Sequence, residues 1–153
     1  ITNLAGIKGR SFTFGEPGST LGWYLPRAVL AEAGLRAGDL TPTNLPLSQT
    51  IRVVRRQQVQ AGVVLWDDLV KLGQAGLPLR VLKPLSCPGY PWIVSSKLET
   101  NVVAALREAF LSLCDESILM PIDVDLTGFS PILPSDYDEL ERQLETAKTF
   151  DAP

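Results

Sequence analysis

The chain has 153 residues, 45% of them hydrophobic and 20% charged, enough apolar content for a domain with a real core and too much for a disordered one. Its formal net charge is −3, so the basic surplus of a nucleic-acid wrapper is missing; Arg52, Arg55 and Arg56 read as a solvated helix face. It contains no histidine, which removes the Ser-His-Asp and Cys-His arrangements, the common zinc sites and the cheapest general base near neutral pH. No window approaches the ~18 uninterrupted apolar residues of a membrane span. No basic-then-apolar leader is present, and the chain opens at Ile1 without methionine, as a processed protein or a fragment would. Cys87 and Cys114 permit one disulfide at most, and buried free thiols are the expectation.

Ser11-Phe12-Thr13-Phe14 reads as the first strand. It runs into Gly15-Glu16-Pro17-Gly18-Ser19-Thr20-Leu21-Gly22, a glycine-rich turn that ends in two hydroxyls at a helix start. Free backbone N–H groups and hydroxyls gathered at one point make a cradle for a small oxyanion. The helix spans about 20–33, with Leu25, Val29, Leu30 and Ala33 as its apolar stripe. Pro26 inside it implies a kink or a late start, and Gly34 a stop. Gly38, Pro42 and Asn44 read as a loop. A second helix opens at Leu47-Ser48-Gln49 and continues through Ile51, Val54 and Gln58.

Ala61-Gly62-Val63-Val64-Leu65 reads as a short strand covered on both faces, followed by a brief helix from Trp66 to Leu72. Arg80-Val81-Leu82 reads as another short strand. Lys83 to Trp92, with Pro84, Pro88 and Pro91, reads as a rigid crossing, and Trp92-Ile93-Val94 as a strand after it. The spacing of Val102, Ala105, Leu106, Ala109, Phe110 and Leu113 predicts a helix over 99–113 with one apolar face. Residues 120–134 read as irregular, and Ser135-x-x-Asp138 as a capping box for a last helix carrying Tyr137, Leu140, Leu144 and Ala147. Strands alternating with helices predict an α/β fold with right-handed crossovers. The portion after the crossing has too little sheet to bury its helices.

The run from Gly9 to Arg27 closely resembles the second-lobe motif of phosphonate/phosphate/phosphite substrate-binding proteins of ABC importers. That motif is a glycine and a basic residue, a short strand, Asp-Pro-x-Ser-Thr-Ser-Gly-Tyr, and a proline shortly after. Ala61 to Val64, Arg80 to Val94, Leu98 to Leu113 and Phe129 to Ala147 resemble later family segments in the same order. The resemblance implies a type 2 periplasmic-binding-protein-like α/β fold, with one complete lobe and the C-terminal part of the other. The second lobe is expected at 9–83, the hinge crossing at 84–91, and the C-terminal part of the first lobe at 92–153. That part would be incomplete without an N-terminal half or a partner chain.

The resemblance further implies a solute-binding component of an importer, holding phosphonate, phosphate or phosphite between two lobes and delivering it to a permease. The expected location is periplasmic or extracytoplasmic, with a lipid anchor allowed. No nucleic acid, cofactor, metal or catalytic residue is expected. The competing reading is a metabolite-sensing regulatory domain of the same fold.

Candidate ligand contacts are Ser19, Thr20, Trp23, Tyr24, Ser48, Gln49, Trp66, Asp67 and Tyr90. Most have a plainer role beside them. Ser19 and Thr20 would serve as an ordinary helix cap, Trp23 or Tyr24 as core, the Asp67-Asp68 pair as a cap, and Tyr90 as a lock on the crossing. Two departures bear on the solute: Leu21 stands where the family has a second serine, and the family's Gly-Ser-His segment keeps only Ser48. Each lost donor to a buried oxyanion is worth roughly 1.5–3 kcal/mol, which implies a changed, weaker-bound or more apolar ligand.

Overall fold

Four residues, Ser11–Phe14, form β1, and the sheet grows on both sides of it. The computed structural model describes residues 1–73, 79–89, 91–123 and 126–152. They fall into two compact units, Ile1–Pro88 with Tyr137–Pro153, and Gly89–Asp136. In the first unit β1 is the middle strand of three, in the order β2-β1-β3, where β2 is Thr41–Asn44 and β3 is Ala61–Gly62. Both neighbours run parallel to it, with Phe14 opposite Asn44 and Thr13 opposite Gly62. The chain is therefore α/β with a parallel sheet. Phe12, Thr13 and Phe14 are all buried, as a strand covered on both faces requires.

The strand β2 corrects the loop expected at Pro42 and Asn44. Thr41 N donates to Arg10 O at 3.0 Å and Leu45 N to Phe14 O at 3.0 Å, so the odd-numbered amides face β1. Pro42, which has no N–H, thus lies on the outward side of an edge strand, the one place in a sheet that tolerates it. Polar, exposed residues hid the strand because nothing covers its faces. The third strand is correspondingly shorter than expected: pairing stops at Val63, whose N–H reaches Thr13 O at 3.1 Å, and Leu65 is exposed.

The first helix begins late, as Pro26 implied. A π-helical turn, Thr20–Tyr24, comes first, and α1 is Leu25–Glu32 with Pro26 in its first turn, where an N–H has no helical partner to lose. It ends at Gly34 (φ 79°), with Gly34 N bonding Ala31 O and Leu35 N bonding Leu30 O at 2.9 Å each. Those two bonds are a Schellman stop, and Leu30 and Leu35 both enter the core. The helix α2 is Leu47–Arg55 and α3 is Trp66–Gly73. The core joins Ile7, Phe12, Phe14, Leu30, Leu35, Leu40, Ala61 and Phe150. Arg80-Val81-Leu82, expected as a strand, forms none: Val81 is exposed and only Leu82 touches the core margin. A short apolar run becomes a strand only where a neighbour accepts it.

In the second unit α4, Thr100–Ser112, has the expected ends, with Glu99 and Leu113 as its caps. Its apolar face is largely open: Val102, Ala105, Leu106 and Ala109 are exposed. Trp92-Ile93-Val94 is not a strand, and Ile93 is 87% exposed. Trp92, Phe110 and Phe129 instead form an aromatic trio with centroids 4.7–5.4 Å apart. A short helix, α5, is Glu116–Leu119. The last helix, α6, is Asp138–Lys148; it belongs to the first unit and packs on α1. A 3₁₀ turn, Pro134–Tyr137, leads into it, and Asp136 accepts from Leu133 N at 2.7 Å, so the Ser135 capping box is not formed. Both cysteines are free, yet not fully buried: Cys87 is half-buried, its thiol pushed up by desolvation, and Cys114 is exposed.

At the centre of the first unit a Cβ on Gly62 would lie 2.4 Å from Thr13 Cγ2, 2.8 Å from Thr50 Cγ2 and 3.0 Å from Thr13 O. Gly62→Ala is expected to lower the unfolding free energy by about 1–3 kcal/mol, read as a fall in the urea midpoint. Gly38→Ala, where a Cβ meets nothing within 4 Å, should move the midpoint little. Thr50 is buried and its hydroxyl has no partner among the described residues. Thr50→Val is therefore expected to leave the midpoint unchanged or raise it; a clear fall would reveal a hydrogen bond at that oxygen.

Candidate functional site

Because β1, β2 and β3 run parallel, their carboxyl ends share one edge, and each leads into a helical start. Crevices outside the carboxyl ends of parallel strands are where open α/β sheets bind ligands. The topology thus gathers three of the segments singled out above: Ser19-Thr20 after β1, Ser48-Gln49 after β2, and Trp66-Asp67 after β3.

The turn after β1 is pinched at its neck. Gly15 N donates to Gly22 O at 2.7 Å. A Cβ on Gly15 would stand 2.7 Å from Gly22 Cα, and one on Gly22 2.8 Å from Gly15 Cα, so no side chain fits at either place. Leu47, the first residue of α2, closes against both, with its Cδ2 3.1 Å and 3.3 Å from those Cβ positions. Above the neck, Gly18 takes φ 85° and Ser19 is extended.

Ser19 performs the capping role. Its Oγ accepts from Gly22 N at 3.1 Å, while its carbonyl accepts from Trp23 N at 2.9 Å and Tyr24 N at 3.1 Å. The cap uses a lone pair and leaves the hydroxyl proton free to donate. The amides of Thr20 and Leu21 have no acceptor among the described residues, nor has the Thr20 hydroxyl a partner there. A second donor-rich start lies beside them. At Pro46 α2 has no side-chain cap, Ser48 is exposed, and Gln49 is half-buried with its Oε1 3.4 Å from Arg52 Nη2.

The remaining candidates divide. Trp66 is 62% exposed and Asp67 exposed beside it, in the first turn of α3. Tyr24 is exposed. Trp23 turns the other way, onto the core, edge-on to Phe14 at 5.8 Å. Tyr90 lies outside the described residues. Across 15–24, 44–50 and 62–70 the only charged residues are Glu16, Asp67 and Asp68; there is no lysine or arginine. An anion at this edge would meet neutral donors, the positive ends of helices and, beside Gln49, the Arg52 guanidinium.

One residue with no role assigned from the sequence stands behind the turn. Arg27 is 7% exposed, with its guanidinium 3.5 Å from the Trp23 ring centroid, 5.0 Å from Phe14 and 5.2 Å from Phe150. It is ion-paired with Asp151. The signal was present in the Trp23-x-x-x-Arg27 spacing, which stacks a cation on an indole along one helix face.

Ser19→Ala, which removes the cap on the turn, is expected to lower stability by about 1 kcal/mol in urea denaturation; no change would mean that the Gly22 amide finds another acceptor. In comparison with known families, residues 1–137 match the model of the periplasmic phosphonate substrate-binding proteins of ABC transporters.

Proposed function

The chain belongs to the phosphonate-binding family of periplasmic substrate-binding proteins of ABC transporters, and from that premise we propose that the carboxyl edge of its sheet holds a small oxyanion such as phosphonate, phosphate or phosphite. Membership implies a small solute, a permease partner and a place outside the cytoplasm; components of this kind are generally not enzymes. No described helix is long and apolar enough to cross a membrane.

In this reading residues 9–83 form the solute-holding lobe, and 84–91 are the crossing to an opposing lobe. Of the stretch from 92 on, the part up to Asp136 belongs to that opposing lobe, whereas Tyr137–Pro153 groups with the first unit, where α6 packs on α1. The amides of Thr20 and Leu21, with the hydroxyls of Ser19 and Thr20, bind the oxygens. Ser48 and Gln49 add donors from α2. Tyr24 and Trp66 flank the organic substituent, and Trp23 supports the turn from beneath. Asp67 takes an amine where the solute carries one.

The observation that carries the proposal is the pair of donor-rich starts at one parallel-sheet edge, the Thr20–Leu21 amides and uncapped α2. Each hydrogen bond to an anion contributes about 1.5–3 kcal/mol. Calorimetry with methylphosphonate, 2-aminoethylphosphonate, phosphate and phosphite is expected to show binding of at least one of them. Thr20→Val should weaken it about ten- to a hundredfold. Unchanged affinity in that variant would remove the turn from the site.

A further inference from the structure

We infer that Arg27, clamped by Asp151, is a positioning residue for the solute-binding turn: the pair holds the Trp23 ring, and through it the amides and hydroxyls between Ser19 and Tyr24. The inference rests on the reading of that turn as the oxyanion site.

Stability alone does not account for an arginine at this position. Arg27 sits between buried Pro26 and Ala28 on the inward face of α1, among Trp23, Phe14 and Phe150. A charge withdrawn from water is expensive even when paired, and an apolar side chain of similar volume often does as well or better. Its Nε, moreover, is buried without an acceptor among the described residues. What the guanidinium provides that an apolar side chain cannot is a flat, oriented stack. At 3.5 Å from the Trp23 centroid, with Nη1 fixed by Asp151 Oδ2, it sets the plane of that ring.

Trp23 is part of the turn itself. Its amide bonds Ser19 O at 2.9 Å, and it is the fourth residue of the five-residue π-helical turn Thr20–Tyr24. Single π turns are rare and recur at functional sites. A ring held in place from below therefore limits how far the turn can tighten into ordinary helix, which would re-aim the free amides of Thr20 and Leu21.

The anion of the clamp arrives from the far end of the chain. A 3₁₀ turn, Thr149–Asp151, follows α6, and its Phe150 is fully buried, edge-on to Phe14 at 5.8 Å. Phe150 fixes where Asp151 reaches Arg27. Residues 138–153 lie outside the range matched by the family model, so the carboxylate of the clamp comes from a segment that the match does not cover.

The test uses the full-length chain, with methylphosphonate as probe. Asp151→Asn and Arg27→Lys should each weaken binding about three- to thirtyfold by calorimetry, whereas Asp151→Glu should restore it to within about twofold. In ligand-free protein carrying Trp66→Phe and Trp92→Phe, so that Trp23 alone reports, Asp151→Asn should shift the indole emission and Asp151→Glu should not. Arg142→Gln, which breaks the bond between α6 and Glu32 without touching Trp23, should leave affinity unchanged and controls for loosening of α6. Arg27→Lys decides the matter if Asp151→Asn fails to fold. Binding by the parent chain that persists undiminished in Asp151→Asn or Arg27→Lys overturns the clamp and leaves the oxyanion site standing. A parent chain that binds none of the four solutes removes both.

Discussion

The contact between the backbones of Gly15 and Gly22 is the constraint on which the rest of the site depends. A strand must stop, reverse into a loop and start a helix over its own end within eight residues, and the loop's two legs must touch for that to happen. The Gly15 N–H to Gly22 O bond closes the neck at 2.7 Å, with no room for a side chain on either residue. Because Leu47 rests on the same two glycines, the neck also fixes where α2 begins. The positions of the Thr20, Leu21 and Ser48 donors are thus consequences of one tight approach, and the side chains around it only refine them.

In the proposed reading the turn itself would answer an anion with no cationic side chain of its own. Helix termini and neutral donors supply the attraction, each helix end contributing about 0.3–1 kcal/mol. Glu16, Asp67 and Asp68 make the surrounding surface negative. In that reading such an edge would favour solutes whose own positive group answers the carboxylates. Selectivity would then lie in the rim as much as in the turn.

Elements whose signal is local were legible from the sequence: β1 and its turn, the stop at Gly34, the late start enforced by Pro26, and both ends of α4. Those that depend on a neighbour were not. Thr41-Pro42-Thr43-Asn44 reads as loop because its residues are polar and uncovered, and only pairing with β1 makes it a strand. Arg80-Val81-Leu82 and Trp92-Ile93-Val94 show the reverse error, β-prone residues that find no partner among the described residues. The apolar stripe of α4 marked a helix, and its open face agrees with the shortage of sheet expected after the crossing. At the site, the order of donors along the chain was visible, and the parallel sheet explains why they share an edge. The Arg27–Asp151 pair, 124 residues apart in sequence, was out of reach, although half of it showed in the Trp23–Arg27 spacing.

Pro42 has an effect beyond its own strand. The outer border of β2 is open, and an exposed strand border is a template on which another chain can stack. With alternate amides turned inward, the outward row offers Pro42 and Asn44, and the first of these has no hydrogen to give. An incoming strand would find one donor where it needs two. The residue that disguised the strand in the sequence thus guards the sheet against growth into aggregates, a useful property for a protein that must stay dispersed while it waits for solute.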